Sequence, residues 1–369
     1  MVINGLIIVL LLVLVLPFAA KKVEENLELF LFVMGIAASI ISGIMSKELI
    51  IKALEEPIMI ASAVFIAGAL FFLLRNYFDR FMNKVYQKIP VWLVVFLVVL
   101  LLGFLSSIIT AIIASIILVE IIFSLPLQRN HKIVVCIVAC FSIGMGAALT
   151  PIGEPLATIA ISKLDQEFFY LFKLLGKFII PAVFGFALIA AVYCAWALRE
   201  TDEERLEKEV AATSDDNGEF SIEDEDETSD NLEDIVGEKD TWKGIIIRAL
   251  KVYLFVMALV FLGEGFHPLI DKYVLALDYR LLYWVNMISA VLDNATLTAA
   301  EISKQMSTMQ IEAILMGLIV SGGMLIPGNI PNIISASKLR ITSTEWAKIG
   351  VPIGLVVMGI FYVFLFCLQ

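Results

Sequence analysis

The sequence predicts an all-α polytopic membrane protein. Its plan is an inverted repeat of a span, a re-entrant hairpin, a broken span and a further span, about eight full spans plus two hairpins. Three observations predict this. First, 60% of the residues are hydrophobic and the mean hydropathy is +0.94, beyond what a soluble domain needs. Second, uncharged runs long enough to cross hydrocarbon recur, at Leu29–Ser46, Ile58–Leu74, Phe178–Leu198, Ala313–Ser337 and Ile349–Gln369. These runs do not alternate polar and apolar residues, as a β-barrel would. Third, Thr150-Pro151-Ile152-Gly153-Glu154-Pro155-Leu156 and Leu325-Ile326-Pro327-Gly328-Asn329-Ile330-Pro331 lie in one register, 175 residues apart. Both continue to Ser-Lys-Leu, at 162–164 and 337–339. A helix interrupted by Pro and Gly at membrane depth, once in each half of a chain, points to the binding site of a secondary transporter.

Charged and Pro-rich breaks place spans near 2–20, 28–46, 57–75, 91–127, 132–164, 169–198, 243–265, 279–304, 309–339 and 346–369. The first run ends in Phe18-Ala19-Ala20, which resembles a leader cleavage site, but no basic residue precedes it and Lys21 and Lys22 follow it. It reads as a retained transmembrane helix. Residues 1–56 therefore form two N-terminal helices, 57–198 a first transport repeat, 199–242 an acidic disordered linker and 243–369 a second repeat. The segment 91–127 carries one charge, Glu120. As a straight helix it would be roughly 55 Å long, nearly twice the hydrocarbon thickness, so it must fold back near Ser106-Ser107-Ile108-Ile109-Thr110. Whether its arms form a re-entrant hairpin or two crossings stays open. Val291-Leu292-Asp293-Asn294-Ala295-Thr296-Leu297-Thr298-Ala299 is the matching tip in the second half. Each unit crosses three times, an odd number, so the second copy runs in the opposite sense.

Residues 200–240 hold 19 acids against three bases, a net of −16, so the rest of the chain carries +5 of the total −11. This segment has few aromatics and dense like charge and is expected to be a solvated tether. With the loops at 75–90 and 128–132 placed in the cytoplasm, Lys and Arg divide 18 inside to 8 outside, or 11 to 8 without the 199–251 group. The acidic linker is then cytoplasmic. The four cysteines, Cys136, Cys140, Cys194 and Cys367, lie inside apolar runs and read as small buried hydrophobes.

Ionisable residues within apolar segments are few: Glu120, Glu154, Asp293, Glu301 and, near an edge, Glu264. A carboxylate at mid-membrane costs on the order of 2.5–3.5 kcal/mol on insertion scales. Pro151 and Pro155 remove backbone donors around Gly153-Glu154, so freed carbonyls and the carboxylate can together coordinate a hard cation. Alternatively, Glu154 caps the following half-helix. Asp293-Asn294 sits at a turn, where Asp and Asn are ordinary residues, but this turn lies between apolar arms. Ser106, Ser107, Thr110, Thr150, Gly153, Asn294, Thr296, Thr298, Gly328, Asn329 and Asn332 supply neutral oxygens. Glu301 reads either as part of the site or as a residue already near the surface. Glu120 reads as a relay member or as a snorkelling side chain at the end of its arm. No Lys or Arg lies within a few residues of either break or tip, which favours cations electrostatically.

At these residues the chain resembles the ion transporter superfamily. Thr-Pro-Ile-Gly-Glu at 150–154 is similar to the Thr-Pro-Ile-Gly-Asp of NhaD-type sodium/proton antiporters, and Asp293-Asn294-x-Thr296-x-Thr298 is similar to their Asp-Asn-x-x-Thr tip. Over 57–198 and 243–369 the chain resembles more closely a small prokaryotic family of cation-transporter-like proteins, known by domain of unknown function number 1646. The resemblance implies paired hairpins, unwound helices and an alternating-access cycle in a prokaryotic cell membrane. Two departures are plain: Ser106-Ser107 replaces the first Asp-Asn, and Gly328-Asn329-Ile330-Pro331-Asn332 is neutral.

The expectation is a cation:proton antiporter, Na⁺ against H⁺, with Glu154 and Asp293 forming the Na⁺ site and exchanging the protons. No cofactor is expected beyond the transported ions. The expected partners are the lipid bilayer and, compatibly, a second copy in a homodimer; no nucleic acid is expected. The alternative is a Na⁺- or H⁺-coupled carrier of an organic acid, dicarboxylate or arsenite-like anion. A membrane-embedded enzyme using two carboxylates is a remote third reading: no His-Glu-x-x-His occurs, and His131 and His267 stand apart in the sequence.

Overall fold

The computed structural model describes residues 2–214, 242–273, 277–291, 294–302 and 304–367. Among these residues the chain is helical, with no strands. Six helices are long and apolar enough to cross a membrane. These features make it an all-α, multi-pass membrane protein.

Helix α1 (Val2–Ala19) is followed by a short turn of helix, α2 (Lys21–Glu25), and by α3 (Leu27–Ser42), which returns along α1. Helix α3 ends at Gly43, whose φ of 74° is the left-handed conformation that closes a helix C-terminus. Helix α4 (Lys47–Lys88) starts on a Ser46 cap, whose hydroxyl accepts from the Leu49 N–H at 3.1 Å. The charged stretches on either side of 57–75 were expected to bound the element, yet α4 is one continuous 42-residue helix, about 63 Å long. Lys, Glu, Arg and Gln are good helix formers, so a charge run can mark the edge of the hydrocarbon without ending the helix.

Helix α5 (Val91–Ile109) and α6 (Ala111–Ser124) meet at Thr110, whose φ of 76° is strained for a β-branched residue. The fold-back falls at the end of the polar cluster, leaving a 19-residue arm long enough to span and a 14-residue arm. Helix α7 (Arg129–Ala147) breaks and resumes as α8 (Pro155–Leu164). Helix α9 (Tyr170–Ser214) then runs past Arg199 into the acidic segment. The disordered linker expected from 199 is therefore helical as far as Ser214, because Glu, Arg, Lys, Ala and Leu dominate there and favour helix. The remaining acidic stretch, 215–241, lies outside the described residues.

The second half holds α10 (Trp242–Tyr273), α11 (Tyr279–Val285), a 3₁₀ turn at Asn286–Ala290 and α12 (Asn294–Glu301). Helix α13 (Thr308–Gly322) follows, then a 3₁₀ turn at Ile326–Gly328, α14 (Ile330–Leu339) and α15 (Ser343–Phe366).

Helices α7 and α13 form the centre. Every residue from Val135 to Ala147 and from Ile311 to Gly322 is buried, as expected of helices enclosed by protein on all sides. Helices α5 and α9 flank α7, while α3 and α4 both pack along α10. The α3–α10 contact is close because it is built from small residues. A Cβ built on Gly35 would lie 2.9 Å from the Ala258 carbonyl oxygen, and one on Gly265 2.7 Å from the Ala38 Cβ. Ser39 Oγ also donates to the Phe261 carbonyl at 3.0 Å. Two contacts join the halves crosswise: α6 packs on α14, and α12 packs on α8.

Candidate functional site

The two broken segments share one backbone geometry. Glu154, the N-cap of α8, has φ −155° and ψ 160°; Asn329, the N-cap of α14, has φ −156° and ψ 163°. Proline stands first in α8 and second in α14, within the turn whose N–H groups have no intrahelical partner, so its missing N–H costs nothing. Each half-helix is ten residues long and closes on a left-handed residue, Asp165 (φ 55°) or Arg340 (φ 51°). The Gly153 N–H donates to the Thr150 carbonyl at 3.2 Å, and Gly328 does the same to Leu325 at 3.2 Å. Neither glycine could carry a side chain. A Cβ would lie 2.7 Å from the Ala147 carbonyl carbon in the first break and 2.9 Å from that of Gly322 in the second.

The first hairpin tip is fastened to the first break through backbone groups. Ala111 N–H donates to the Gly153 carbonyl at 2.9 Å, and the Thr150 hydroxyl donates to the Ser107 carbonyl. Ser106 Oγ donates to the carbonyls of Gly103 (2.7 Å) and Ile143 (3.0 Å), and Ser107 Oγ to that of Phe104 (2.7 Å). These hydroxyls keep acceptor lone pairs available for a cation. Ser106, Ser107, Thr150, Gly153 and Glu154 are all buried, and Thr110 is half-buried. Glu154 is 8% exposed, and its carboxylate makes no cap bond to the α8 amides. Of its two readings, the helix-cap role is therefore not the one adopted.

The second cluster is organised differently. Asn329 Oδ1 accepts from the Asn332 N–H at 3.1 Å and so does cap α14. Asn332 Nδ2 donates to the carbonyls of Gly322 (2.9 Å) and Leu325 (2.7 Å). Asn294 and Thr298 are buried; Thr298 Oγ1 donates to the Asn294 carbonyl within α12, at 2.8 Å. A Cβ on Gly322 would stand 3.5 Å from Asn294 Nδ2, which places the second tip beside the second break. Asp293 lies outside the described residues, as does the side chain of Thr296. Helix α7 joins the two clusters: Asn329 Nδ2 rests against Gly144, and the Phe141 ring rests against Gly323.

Glu120 and Glu301, each open to two readings in the sequence, both have side-chain partners. Glu120, on α6, pairs with Lys338, on α14, at 3.0 Å, with both side chains at most 15% exposed. It forms an ion pair between two elements distant in sequence. Removing one partner of a pair this sheltered is destabilising, by at most the ~3–5 kcal/mol typical of fully buried pairs. Glu120→Gln should therefore lower the melting temperature in detergent, and Glu120→Gln/Lys338→Gln should recover part of the loss. A double variant no more stable than the single one would remove the pair from the account. Glu301 is 1% exposed, far from the surface position its sequence neighbours allow. Asn286 Nδ2 donates to its Oε2 at 3.0 Å. Glu312, which the sequence reading missed, is also buried and pairs with Lys177 at 2.9 Å. Its place five residues into α13, close behind Ser307, Thr308 and Gln310, made it read as part of a polar helix start.

A family model described as protein of unknown function, DUF1646, matches residues 3–368. The chain belongs to the DUF1646 family. No curated protein matches it.

In this DUF1646 protein a cavity of about 500 Å³ leads toward the second break. Its walls include Glu28, Lys251 and Arg340 as well as Ile326 and Ile333. Glu28 and Lys251 pair at 2.7 Å. The α14 half-helix thus forms part of the wall of a space that also touches Glu28 on α3, Lys251 on α10 and the 3₁₀ turn of the second break.

Proposed function

We propose that this protein is a secondary active transporter exchanging Na⁺ for H⁺ by alternating access, with Glu154 and Asp293 as the exchanging carboxylates. The observation that carries the reading is the pair of broken helices with matched dihedral angles, one of which holds a buried carboxylate that does not serve as its helix cap. Irregular backbone at membrane depth is tolerated where protein buries it or where it lines a cavity. Each break sets a half-helix N-terminus next to non-helical backbone, the arrangement that binds ions in transporters with discontinuous helices.

The inverted-repeat plan, with repeats at 57–198 and 243–369, draws support from the ion pairs. Glu28–Lys251, Glu120–Lys338 and Arg129–Glu345 each join residues assigned to the cytoplasmic side. Lys52–Glu264, Asp165–Lys304 and Lys177–Glu312 each join residues assigned to the opposite side. A second repeat running in the same sense as the first would have paired residues across the membrane. The crosswise packing of α6 on α14 and of α12 on α8 is what a two-fold axis in the membrane plane produces.

Mechanistically, a carboxylate that holds either a proton or a cation, never both, couples the two fluxes without further machinery. Neutralisation by one or the other allows the site to cross the low-dielectric centre, while the bare anion is held back by its desolvation cost. The 500 Å³ cavity supplies access from the side of Lys251 and Arg340, which is cytoplasmic in this topology. The test is reconstitution into proteoliposomes enclosing a pH dye. An imposed Na⁺, Li⁺ or K⁺ gradient should drive protons in the opposite direction. Proton movement only under a carboxylate or arsenite gradient would instead establish the coupled anion carrier, in which the carboxylates hold a co-transported cation.

A further inference from the structure

The two breaks match in backbone but not in what fills them. Displaced by 175 residues, Gly322, Leu325, Gly328, Asn329 and Asn332 correspond to Ala147, Thr150, Gly153, Glu154 and Ala157. In the second break the Asn332 amide sits between the Gly322 and Leu325 carbonyls, donating to both at 2.9 and 2.7 Å. Those acceptors settle the amide orientation, since a flipped amide would set its oxygen against two carbonyl oxygens. In the first break the corresponding residue, Ala157, is fully buried and has no group to donate. The Ala147 and Thr150 carbonyls therefore lack the side-chain donor that their counterparts have.

Charge follows the same division. The break without the amide carries a carboxylate at the N-cap; the break with the amide carries a neutral Asn there, used as a cap. A bare cation between two carbonyls, with no carboxylate at the N-cap beside them, is expensive in a low-dielectric interior. An amide N–H₂ presents the same partial positive charge to those carbonyls with no net charge. We infer that the Asn332 side-chain amide occupies in the second break the place that a monovalent cation takes in the first, so that the protein holds one cation at its breaks rather than two. This rests on the exchange reading above and adds the location and number of its cation sites. Asn332 Oδ1, buried and without a hydrogen-bond partner, remains available to the shared interior.

Two substitutions test it. Ala157→Asn installs the amide in the first break and should displace the cation. Asn332→Asp keeps one oxygen in place and changes only the atom that faces the two carbonyls. Three oxygens then converge, and a cation is needed to hold them. The measurement is ²²Na⁺ bound per chain at alkaline pH, for purified protein in lipid nanodiscs with choline as the replacement ion. The expected counts are one for the wild type, none for Ala157→Asn and two for Asn332→Asp, whose melting temperature should also rise on adding Na⁺. If Ala157→Asn does not elute as a monodisperse species, the Asn332→Asp count decides. Two ions on the wild type, or one on Asn332→Asp, overturns the inference and leaves exchange standing. No ion on the wild type removes both.

Discussion

Glu154→Gln should reduce Na⁺-driven proton movement to the level of empty liposomes while leaving the protein folded. The substitution keeps the size of the side chain and removes its charge at a position only 8% exposed. Because Glu154 makes no cap bond, the start of α8 does not depend on the carboxylate. Its counterpart supplies the contrast. Asn329 does cap α14, so Asn329→Ala should lose about 1 kcal/mol of stability, the usual worth of an N-cap. The pair thus separates function from folding: one variant loses flux at unchanged melting temperature, and the other loses melting temperature. Asp293→Asn should behave like Glu154→Gln if the two acids share the exchange. Full flux in Glu154→Gln would end the proposal that this residue carries the proton.

Gly146→Ala should give a large loss of stability for a single added methyl. A Cβ there would fall 2.6 Å from the Gly103 carbonyl carbon and 3.0 Å from Ser106 Oγ. Neither neighbour is a flexible chain end. Relief requires α7 to move away from α5, which would also break the Ser106 bond to the Ile143 carbonyl. Overpacking of this kind costs typically 1–3 kcal/mol and occasionally more, and it would unseat the hairpin tip from the first break. The expected result is a lower melting temperature in detergent together with loss of Na⁺ binding. Gly185→Ala is the control, since a Cβ on that helical residue meets nothing within 4 Å. It should be neutral or more stable by about 0.5–1 kcal/mol. Equal stability of the two variants would mean that α5 and α7 do not approach as closely as described.

The breaks were legible in the sequence because Pro and Gly act locally. Proline cannot donate and fixes its own φ, and the pairs Pro151/Pro155 and Pro327/Pro331, each enclosing a glycine, interrupt their helices where single prolines such as Pro57 and Pro181 do not. The fold-back between Ser106 and Thr110 was legible for a related reason, since 91–127 is too long to remain one helix across a bilayer. Helix ends were less legible wherever charge stood in for a stop signal. Helix α4 runs through Lys47–Glu56 and Arg75–Lys88, and α9 runs through Arg199–Ser214, because solvation of a side chain does not interrupt backbone hydrogen bonds.

Partnerships across the fold were not legible at all. Glu120 meets Lys338, Lys177 meets Glu312 and Asn286 meets Glu301 because helices distant in sequence, or a 3₁₀ turn, bring them together. No periodicity along the chain encodes such pairs.

The sequence by itself determined an all-helical membrane chain, two interrupted helices and a carboxylate in only one of the interruptions. Those properties follow from hydropathy and from the covalent limits of proline and glycine, which operate over a few residues. Only the tertiary structure decided that Glu154 is released from capping while Asn329 is not, and that Asn332, unlike Ala157, fills its own break. Those outcomes depend on where freed carbonyls point once two helix ends face each other, and that direction is set by packing around α7 and α13.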